Sequence, residues 1–208
     1  MAYRIKEMFL TLQGEGAQSG RAAVFCRFSG CNLWSGREDD RPDSACRFCD
    51  TDFLGTDGEG GGTFDLTEIV ARVSALWGGR SGIPYVVCTG GEPLLQLDAA
   101  LIEALHAAGF EVAIETNGTL PAPAGIDWIT VSPKAGTRVK QRNGHELKVV
   151  VPQEHDWVEL ESWDFRHRFV QPMDSLDRQA STQAAIAHCL SRPAWRLSLQ
   201  THKLLGIP

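Results

Sequence analysis

Three cysteines stand close together in the first quarter of the chain, and their spacing suits a metal site. Cys46 and Cys49 are separated by two residues in the stretch ACRFCDTDF, and fourteen residues lie between Cys31 and Cys46. A structural zinc site normally has four protein ligands, and an iron–sulfur cluster held only by cysteine usually has four as well. Three thiolates therefore predict a metal site that keeps one coordination position open.

Spacing alone leaves two other uses of the Cys46–Cys49 pair open. The pair could act as a redox dithiol, or a zinc loop could be completed by Cys26 or by a histidine. Cys26, Cys88 and Cys189 each stand alone in an apolar run. Because free cysteines often pack as small hydrophobic residues, we expect these three to be structural.

The composition is typical of a globular protein: of 208 residues, 43% are hydrophobic and 22% are charged. We expect one domain, residues 1–208. The formal net charge of −6 argues against a nucleic-acid-binding protein, which needs a basic surface. The sequence has no signal-peptide pattern at its start and no apolar run of the roughly 18 residues that a membrane helix needs. A cytoplasmic location is expected, and in that reducing compartment clustered cysteines indicate metal binding or catalysis.

Hydrophobic periodicity predicts strands that alternate with helices. Strands are expected at residues 22–28, 84–93, 111–118, 127–134, 145–152, 168–174 and 195–202, the second of which runs into a Gly-rich turn. Helices are expected at 64–77, 97–109 and 181–192, with Asp65 and Glu68 as a capping pair and Asp98 as a cap. Residues 32–63 are polar and Gly-rich, which predicts a long loop that is either functional or disordered.

This alternation favours an α/β fold built on a parallel sheet. Because only about six strands are expected, and a full eightfold barrel usually takes about 250 residues, the sequence predicts an incomplete TIM-like barrel. Polar residues follow most of the predicted strands directly, and the carboxyl ends of parallel strands form the ligand-binding edge of such folds. The residues expected at this edge include Cys31, Thr89, Gly90, Gly91, Glu92, Glu115, Asn117, Ser132, Pro133, Lys134, Gln171, Pro172, Met173 and, as a weaker candidate, His202.

Several other polar residues have both a structural and a functional interpretation. Arg27 lies in the apolar strand AAVFCRF, where a guanidinium needs an anionic partner: either a structural salt bridge or a bound carboxylate. The stretch 13–16, QGEG, is either a flexible turn or a loop that approaches a ligand closely. Thr51, between two aspartates, belongs either to a loop turn or to a Mg²⁺ site. Lys134 could equally be a solvated lysine.

The cysteines, Phe48 just before the last of them, and the Gly-Gly-Glu-Pro at 90–93 together resemble the radical S-adenosylmethionine (SAM) superfamily. That resemblance implies a 4Fe–4S cluster held by Cys31, Cys46 and Cys49, with SAM bound to the fourth iron. It also implies that the reduced cluster cleaves SAM to a 5′-deoxyadenosyl radical, which abstracts hydrogen from the substrate. The usual spacing in the superfamily is Cys-x3-Cys-x2-Cys, and this chain departs from it in the first interval.

The long interval, together with LQGEGAQSGRAAVFCRFSGCNLW before it and CDTDF after it, is similar to the 7-carboxy-7-deazaguanine synthase family over most of the chain, from Leu12 to the final GIP. The resemblance implies a lyase that converts 6-carboxy-5,6,7,8-tetrahydropterin to 7-carboxy-7-deazaguanine and ammonia in 7-deazapurine biosynthesis of the queuosine type. It also implies a reductant such as flavodoxin or ferredoxin, a homodimer, and a modified cluster-binding loop in a radical SAM-type barrel. No side chain is assigned a catalytic role, because SAM and the cluster carry the radical chemistry.

The same resemblance assigns roles to individual residues. Mg²⁺ is expected at Thr51, where it would bridge to the substrate carboxylate, and Arg27 is expected to anchor that carboxylate. The other expected substrate contacts are Leu12, Gln13, Gly14, Glu15, Thr89, His202 and Pro208. The expected SAM contacts are Phe48, Gly90, Gly91, Glu92, Glu115, Asn117, Ser132, Pro133, Lys134, Gln171, Pro172, Met173 and Asp174.

Two alternative functions remain consistent with the cysteine pattern. One is a radical SAM activase that places a glycyl radical on a partner protein, which would need an open site and a docking surface. The other is a non-catalytic zinc-binding module. Iron content distinguishes the zinc module from both enzymes.

Overall fold

A computed structural model describes residues 2–208, and Met1 lies outside this range. The structure contains nine strands and five α-helices. The strands are β1 (Tyr3–Leu12), β2 (Ala22–Phe28), β3 (Gly62–Phe64), β4 (Tyr85–Gly90), β5 (Glu111–Thr116), β6 (Trp128–Val131), β7 (Asn143–Val151), β8 (Asp164–Pro172) and β9 (Arg196–Leu197). The helices are α1 (Leu66–Trp77), α2 (Ala99–Ala107), α3 (Trp157–Ser162), α4 (Arg178–Ser191) and α5 (Thr201–Leu205).

All nine strands belong to one sheet, in the order β3-β1-β2-β4-β5-β6-β7-β8-β9. From β2 through β9 each neighbouring pair is parallel, whereas β1 pairs antiparallel with both β2 and β3. The two end strands, β3 and β9, do not pair with each other, so the sheet stays open. This mostly parallel, unclosed sheet confirms the predicted incomplete barrel.

Helices cover one face of the sheet and form its two main cores. Ile69 of α1 and Leu105 of α2 pack against the first strands, for example against Val86. A second core lies below α3 and α4 and includes Leu160 and Ala185. Because successive residues of a strand point to opposite faces, the alternate residues of the same strands form the inner face.

A small apolar cluster occupies part of the inner face. It consists of Ala23, Tyr85, Val87 and Ala113, with Phe25 and Trp128 packed against it. Tyr85, Ala113 and Trp128 lie near the amino ends of their strands. The carboxyl ends of the parallel strands are therefore available for a ligand site.

The predicted helix signals are present in the structure. Asp65 and Glu68 form a reciprocal capping box at the start of α1, in which each side chain accepts from the other residue's backbone amide. Asp98 caps α2 by accepting from the amide of Leu101 at 3.0 Å. Among residues 2–208, no helix is both long enough and apolar enough to span a membrane.

Four elements were not predicted from the sequence, namely β1, β3, α3 and α5. Strand β1 was missed because the mixed polar and apolar residues of Tyr3–Leu12 follow neither strict alternation nor a continuous apolar run. Strand β3 and helix α3 have only three and six residues, too few for a periodic pattern. The predicted strand 195–202 is wrong beyond its start. Only Arg196–Leu197 pairs with β8, and residues 201–205 form α5, so His202 lies in a helix.

Residues 32–63 form the predicted long loop, apart from a short 3₁₀ helix at Glu38–Asp43 and the start of β3. The loop has its own packing. Trp34 packs edge-on against Phe53 with ring centroids 5.5 Å apart, and the Arg41 guanidinium lies 3.9 Å above the Trp34 ring. Arg41 also donates to the carbonyls of Arg47 and Cys49, each at 3.1 Å. The loop is therefore held in one shape around its cysteines.

Candidate active site

A cavity of about 360 Å³ opens at the carboxyl ends of the parallel strands, and this size suits a small-molecule site. Its wall brings together residues that are far apart in the sequence. Cys31, Cys46, Cys49 and Thr51 all line it, as do all eight expected substrate contacts. Eleven of the thirteen expected SAM contacts line it too, namely Phe48, Gly90, Gly91, Glu115, Asn117, Ser132, Lys134, Gln171, Pro172, Met173 and Asp174.

The long interval between Cys31 and Cys46 folds back on itself. The carbonyl of Leu33 accepts hydrogen bonds from the amides of Ala45, at 3.1 Å, and Cys46, at 3.4 Å. This pairing returns Cys46 to the neighbourhood of Cys31 despite the fourteen intervening residues. The departure from the usual superfamily spacing is therefore compatible with one shared cysteine site.

The Gly-Gly turn after β4 packs tightly against the first cysteine. A methyl group added at Gly91 would lie 2.7 Å from the Cβ atom of Cys31, closer than real contacts allow. Glycine at this position therefore lets the turn after β4 approach Gly30 and Cys31. The two segments that were expected to hold the cluster and SAM are in direct contact.

The donor set suits a 4Fe–4S cluster. Three cysteines line the cavity without a fourth, and in a cluster each thiolate binds a different iron, so the three sulfur atoms need not converge on one point. Among residues 2–208, no group of three or more Cys, His, Asp or Glu side chains is arranged to hold a metal ion. Hydrogen bonding between the two thiols lowers the pKa of Cys49 to about 6 and raises that of Cys46.

Lys134 lies next to the cysteines, where its side chain is folded inward. Its Nζ atom donates to the carbonyl of Ser132 at 2.8 Å and to the Ser132 hydroxyl at 2.9 Å, and it lies 5.8 Å from the centre of the Phe48 ring. Burial lowers the pKa of Lys134, and the nearby cysteines act in the opposite direction. The two hydrogen bonds to Ser132 therefore favour a lysine that is fixed in the cavity wall over a solvated lysine.

Glu92 and Pro133 are the two expected SAM contacts that the structure does not bring to the cavity wall. Glu92 is fully buried, and its carboxylate accepts from the hydroxyl of Thr116 at 2.8 Å and from the amide of Asn117 at 2.8 Å. Burial raises the pKa of this carboxyl. Glu92 therefore joins the turn after β4 to the end of β5, whereas its carboxylate is not presented to a ligand.

The structure is compatible with both interpretations of Arg27, the structural ion pair and the carboxylate anchor. Its Nε atom donates to Glu7 Oε1 at 2.7 Å, which is a structural ion pair with β1. Its two terminal nitrogens make no hydrogen bond to another described residue, and Arg27 lines the cavity. Glu7 fixes one edge of the guanidinium, and the other edge remains available for an anion.

A buried charged network forms one wall of the cavity. Lys148, on β7, forms an ion pair with Glu15 and lies 3.8 Å from Oε1 of Glu115 on β5. Gln13 donates to the same Glu115 oxygen at 3.0 Å, and the Thr89 hydroxyl lies 3.4 Å from its other oxygen. Three residues of the expected substrate site are thus connected through Lys148 and Glu115.

Two lysines neutralise the aspartates on either side of Thr51. Lys203 Nζ lies 2.5 Å from Asp50, and Lys6 Nζ lies 2.8 Å from Asp52. Among the contacts of residues 2–208, the Thr51 hydroxyl has no hydrogen-bond partner. The arrangement therefore leaves the hydroxyl as the uncommitted oxygen of this turn.

The last helix, α5, packs beside the Gln13–Gly16 loop. The amide and hydroxyl of Thr201 both donate to the carbonyl of Gly14, at 3.0 and 2.8 Å. The His202 ring lies where a side chain at Gly14 would be, so Gly14 permits this contact. Pro208 reaches β1, where its carbonyl oxygen accepts from the Thr11 hydroxyl at 3.0 Å. His202 and Pro208 therefore reach the cavity as expected, although from a helix and the segment after it.

Sequence reasoning missed Glu7, Lys148 and Lys203. Lys148 carried a usable signal, because a lone lysine in the apolar strand HELKVVVP presents the same problem as Arg27 in AAVFCRF. The sequence gives no such signal for Glu7 and Lys203, because each contributes to the site through an ion pair with a residue that is distant in the sequence.

Comparisons with known proteins agree with this site. A family model described as the Radical SAM superfamily matches residues 41–151. Proteins named 7-carboxy-7-deazaguanine synthase from Caulobacter vibrioides and Bordetella pertussis are 62% and 61% identical to this chain, each over 100% of both sequences. The crystal structure of QueE from Escherichia coli matches with a TM-score of 0.71 and 29% identity, covering 96% of this chain and 94% of that one. The chain therefore belongs to the 7-carboxy-7-deazaguanine synthase family within the radical SAM superfamily, as its cysteine loop and Gly-Gly-Glu-Pro turn predicted.

Proposed function

We propose that this protein is a radical SAM lyase that converts 6-carboxy-5,6,7,8-tetrahydropterin to 7-carboxy-7-deazaguanine with loss of ammonia. The observation that carries the proposal is one cavity lined both by the three cysteines and by Arg27 and Glu15. Family membership supports the reaction, and the cavity supplies a place where a cluster, SAM and a small carboxylated ring could meet.

Cys31, Cys46 and Cys49 would hold a 4Fe–4S cluster, and the residues at the ends of β4, β5, β6 and β8 would hold SAM. When bound, the cluster and SAM would supply the radical chemistry. The protein's part is to bind, orient and shield. Lys134 and Phe48 line the cavity near the cysteines, and Gln171 and Met173 line it at and just after the end of β8.

The opposite wall would bind the substrate. Arg27, already fixed by Glu7, would take the substrate carboxylate through its free edge. Gln13 and Glu15 would face the donor and acceptor edge of the pterin, with Leu12, Gly14, Thr89, His202 and Pro208 as further contacts. Several anchors around one ring restrict it to one pose, and such orientation lowers the barrier of the following step.

We also propose that Thr51 binds Mg²⁺ together with the substrate carboxylate. The free Thr51 hydroxyl supports this role, because Mg²⁺ commonly uses few protein ligands and completes its shell with water and substrate oxygens. Asp50 and Asp52 are already paired with lysines, so they are less available as ligands. If Mg²⁺ acts here, removal of divalent cations with EDTA should lower turnover, and added Mg²⁺ should restore it. Turnover that is insensitive to EDTA would contradict the magnesium site.

The remaining parts of the proposal rest on family resemblance. We propose that residues 1–208 act as one catalytic domain, that a flavodoxin or ferredoxin supplies the electron, and that the protein is a cytoplasmic homodimer. Free cysteines throughout the described chain are compatible with a reducing compartment.

The geometry favours a small-molecule substrate over the alternative of a glycyl-radical partner protein. Helix α5 and the segment after it cover part of the cavity, through contacts of Thr201 with Gly14 and of Pro208 with Thr11. A protein segment would have to displace them. A zinc-binding module would leave the charged groups on the opposite wall without a use.

The cysteine assignment can be tested with a pair of variants. Cys31→Ala should lose SAM cleavage and lower the iron content of anaerobically purified protein, because one cluster ligand is removed. Cys189→Ala is the matched control, since Cys189 lies in α4 outside the cavity. Iron analysis and 5′-deoxyadenosine formation measure the outcome. SAM cleavage that persists in Cys31→Ala would contradict the cluster site, and colourless wild-type protein with one zinc would contradict the enzyme.

A further inference from the structure

We propose that Lys148 is a positioning residue for the substrate site, where its ammonium group holds the carboxylates of Glu15 and Glu115 ionised and directed at the cavity. This inference rests on the proposed function, because the carboxylates are given a pterin to bind. It assigns Glu115, which the resemblance gave as a SAM contact, to the substrate wall beside Gln13 and Thr89. It adds a residue from β7 that the sequence-based assignment of the site did not include. It also predicts a pH signature that a purely structural ion pair would not produce.

The geometry places one ammonium group between two carboxylates from different elements. Lys148 Nζ contacts Glu15, in the loop after β1, and lies 3.8 Å from Glu115 on β5. The Lys148 side chain is only 5% exposed, whereas those of Glu15 and Glu115 are 12% and 24% exposed. All three residues line the cavity. Within this network Lys148 is therefore buried, whereas a ligand can reach the carboxylates of Glu15 and Glu115.

Each carboxylate keeps acceptor capacity after its internal contacts are counted. A carboxylate can accept about four hydrogen bonds. Glu115 accepts from Gln13 at 3.0 Å and from the Thr89 hydroxyl at 3.4 Å, and Glu15 accepts from Lys148 and from the side chain of Gln200. A ring edge that carries adjacent N–H donors, as a 2-amino-4-oxo pterin does, could use the remaining lone pairs.

The charge balance explains why the cation is needed. Two carboxylates in one poorly solvated wall repel each other, and burial further favours their neutral forms. For Glu15, burial would raise the pKa, but the charge and hydrogen bond of Lys148, with smaller contributions from Gln200 and His202, outweigh burial and the net shift is downward. For Lys148, burial would lower the pKa, but Glu115, Glu15 and Glu146 together raise it. Without Lys148, Glu15 would lose its main compensating charge, and burial would favour its protonated form, which has less acceptor capacity.

Other titratable groups around the network also bear on the pH argument. Glu146, on β7, accepts from the amide of Ala17 at 2.8 Å, and burial raises its pKa to about 7. Glu146 does not line the cavity, so Glu15 and Glu115 are the carboxylates of the network that a ligand can reach. Glu146 is partly ionised at neutral pH, and its charge then also acts on Lys148. The remaining groups that face the network from neighbouring elements are Tyr85 on β4, Lys134 after β6 and His202 on α5.

The test measures binding of 6-carboxytetrahydropterin to the cluster-loaded protein with SAM, by anaerobic calorimetry from pH 6.5 to 8.5. In Lys148→Met we expect Kd to rise at least tenfold at pH 7 and to fall again as pH rises, because the uncompensated carboxylate then ionises. Wild-type binding should change less over this range, because Lys148 keeps Glu15 ionised and Glu146 is the network carboxyl whose pKa lies near 7. Lys148→Arg keeps the charge but moves the donors, so its Kd should rise less and keep the pH dependence of the wild type. SAM cleavage without substrate serves as the control for an intact cofactor site.

Several results would overturn the proposal. Lys148→Met with a Kd within twofold of wild type would show that the lysine does not position the acceptors. A raised but pH-independent Kd in that variant would indicate a merely structural role. If Lys148→Met does not retain iron, Lys148→Arg decides the question, and an unchanged Kd or a new pH dependence in it contradicts the proposal. Wild-type protein that does not bind the pterin would instead refute the proposed function, and the inference with it.

Discussion

At the scale of single residues, the site depends on charged side chains that are fixed from one side and free on the other. Arg27 gives one edge of its guanidinium to Glu7, and Glu15 gives part of its carboxylate to Lys148. Thr51 is the uncommitted residue between two paired aspartates. Each fixed partner reduces the conformational entropy that substrate binding would otherwise have to remove.

The Arg27–Glu7 pair gives a prediction at this scale. Arg27→Met should weaken binding of the carboxylated pterin by roughly tenfold to a hundredfold, since a hydrogen bond to a charged group is worth about 1.5–3 kcal/mol. Glu7→Gln should weaken binding less, because the guanidinium stays but loses its ionic partner. Calorimetry on iron-loaded protein measures both. An equal loss in the two variants would mean that Arg27 acts through its pair with β1 and not as a direct anchor.

Sequence patterns located most of the residues at the cavity but not their partners. A lone charge in an apolar strand indicated Arg27, and strand-end motifs located the residues from Thr89 to Asp174. Glu92 shows the limit of such motifs, because its position in Gly-Gly-Glu-Pro does not reveal that its carboxylate turns inward to Thr116 and Asn117. Side-chain direction depends on tertiary packing, which one sequence does not display.

At the scale of elements, helix α5 is tied to both sides of the cavity by one side chain. Lys203 pairs with Asp50, which follows Cys49, at 2.5 Å and with Asp174, at the end of the β8 segment, at 2.7 Å. The cysteine loop, the β8 end and α5 therefore share one ionic junction. Because α5 also carries His202 beside Gly14, movement of this helix would alter the substrate wall.

Loss of this junction should loosen α5 without affecting the cluster. Lys203→Met should raise the substrate Kd by about twofold to tenfold, because partly exposed ion pairs contribute roughly 0.2–1 kcal/mol each. Amide hydrogen exchange in residues 201–205 should become faster. Lys140→Met is the matched control, since Lys140 is exposed and lies outside the cavity. Unchanged exchange in α5 would show that its backbone contacts with Gly14 are sufficient to hold it.

The elements that were hardest to predict are those whose conformation depends on contacts with residues distant in the sequence. Strand β1 is set by antiparallel pairing with β2 and β3, and its mixed pattern gave no strand signal. The composition of the segment before α5 predicts a strand. In the structure Leu199 is exposed, and only Arg196–Leu197 pairs with a neighbouring strand. Helices α1 and α2, which carry their own caps, were predicted closely.

At the scale of the whole molecule, an open parallel sheet gathers distant segments at one edge. Residues from the Gln13 loop to Pro208 reach the same cavity because the carboxyl ends of the parallel strands meet there. The sheet stays open between β3 and β9, and the cysteine loop and α5 are joined by the ion pair of Asp50 with Lys203. The unusual cysteine spacing is thus part of an architecture in which one loop carries the cluster ligands and Thr51.

The central claim is that this cavity contracts a carboxylated pterin ring by SAM-dependent radical chemistry. The most direct measurement is mass spectrometry of the products formed from 6-carboxy-5,6,7,8-tetrahydropterin by the reconstituted protein with SAM and a reductant, without oxygen. We predict formation of 7-carboxy-7-deazaguanine and ammonia, which should stop in Cys31→Ala and continue in Cys189→Ala. SAM cleavage that leaves the pterin unchanged would contradict the claim.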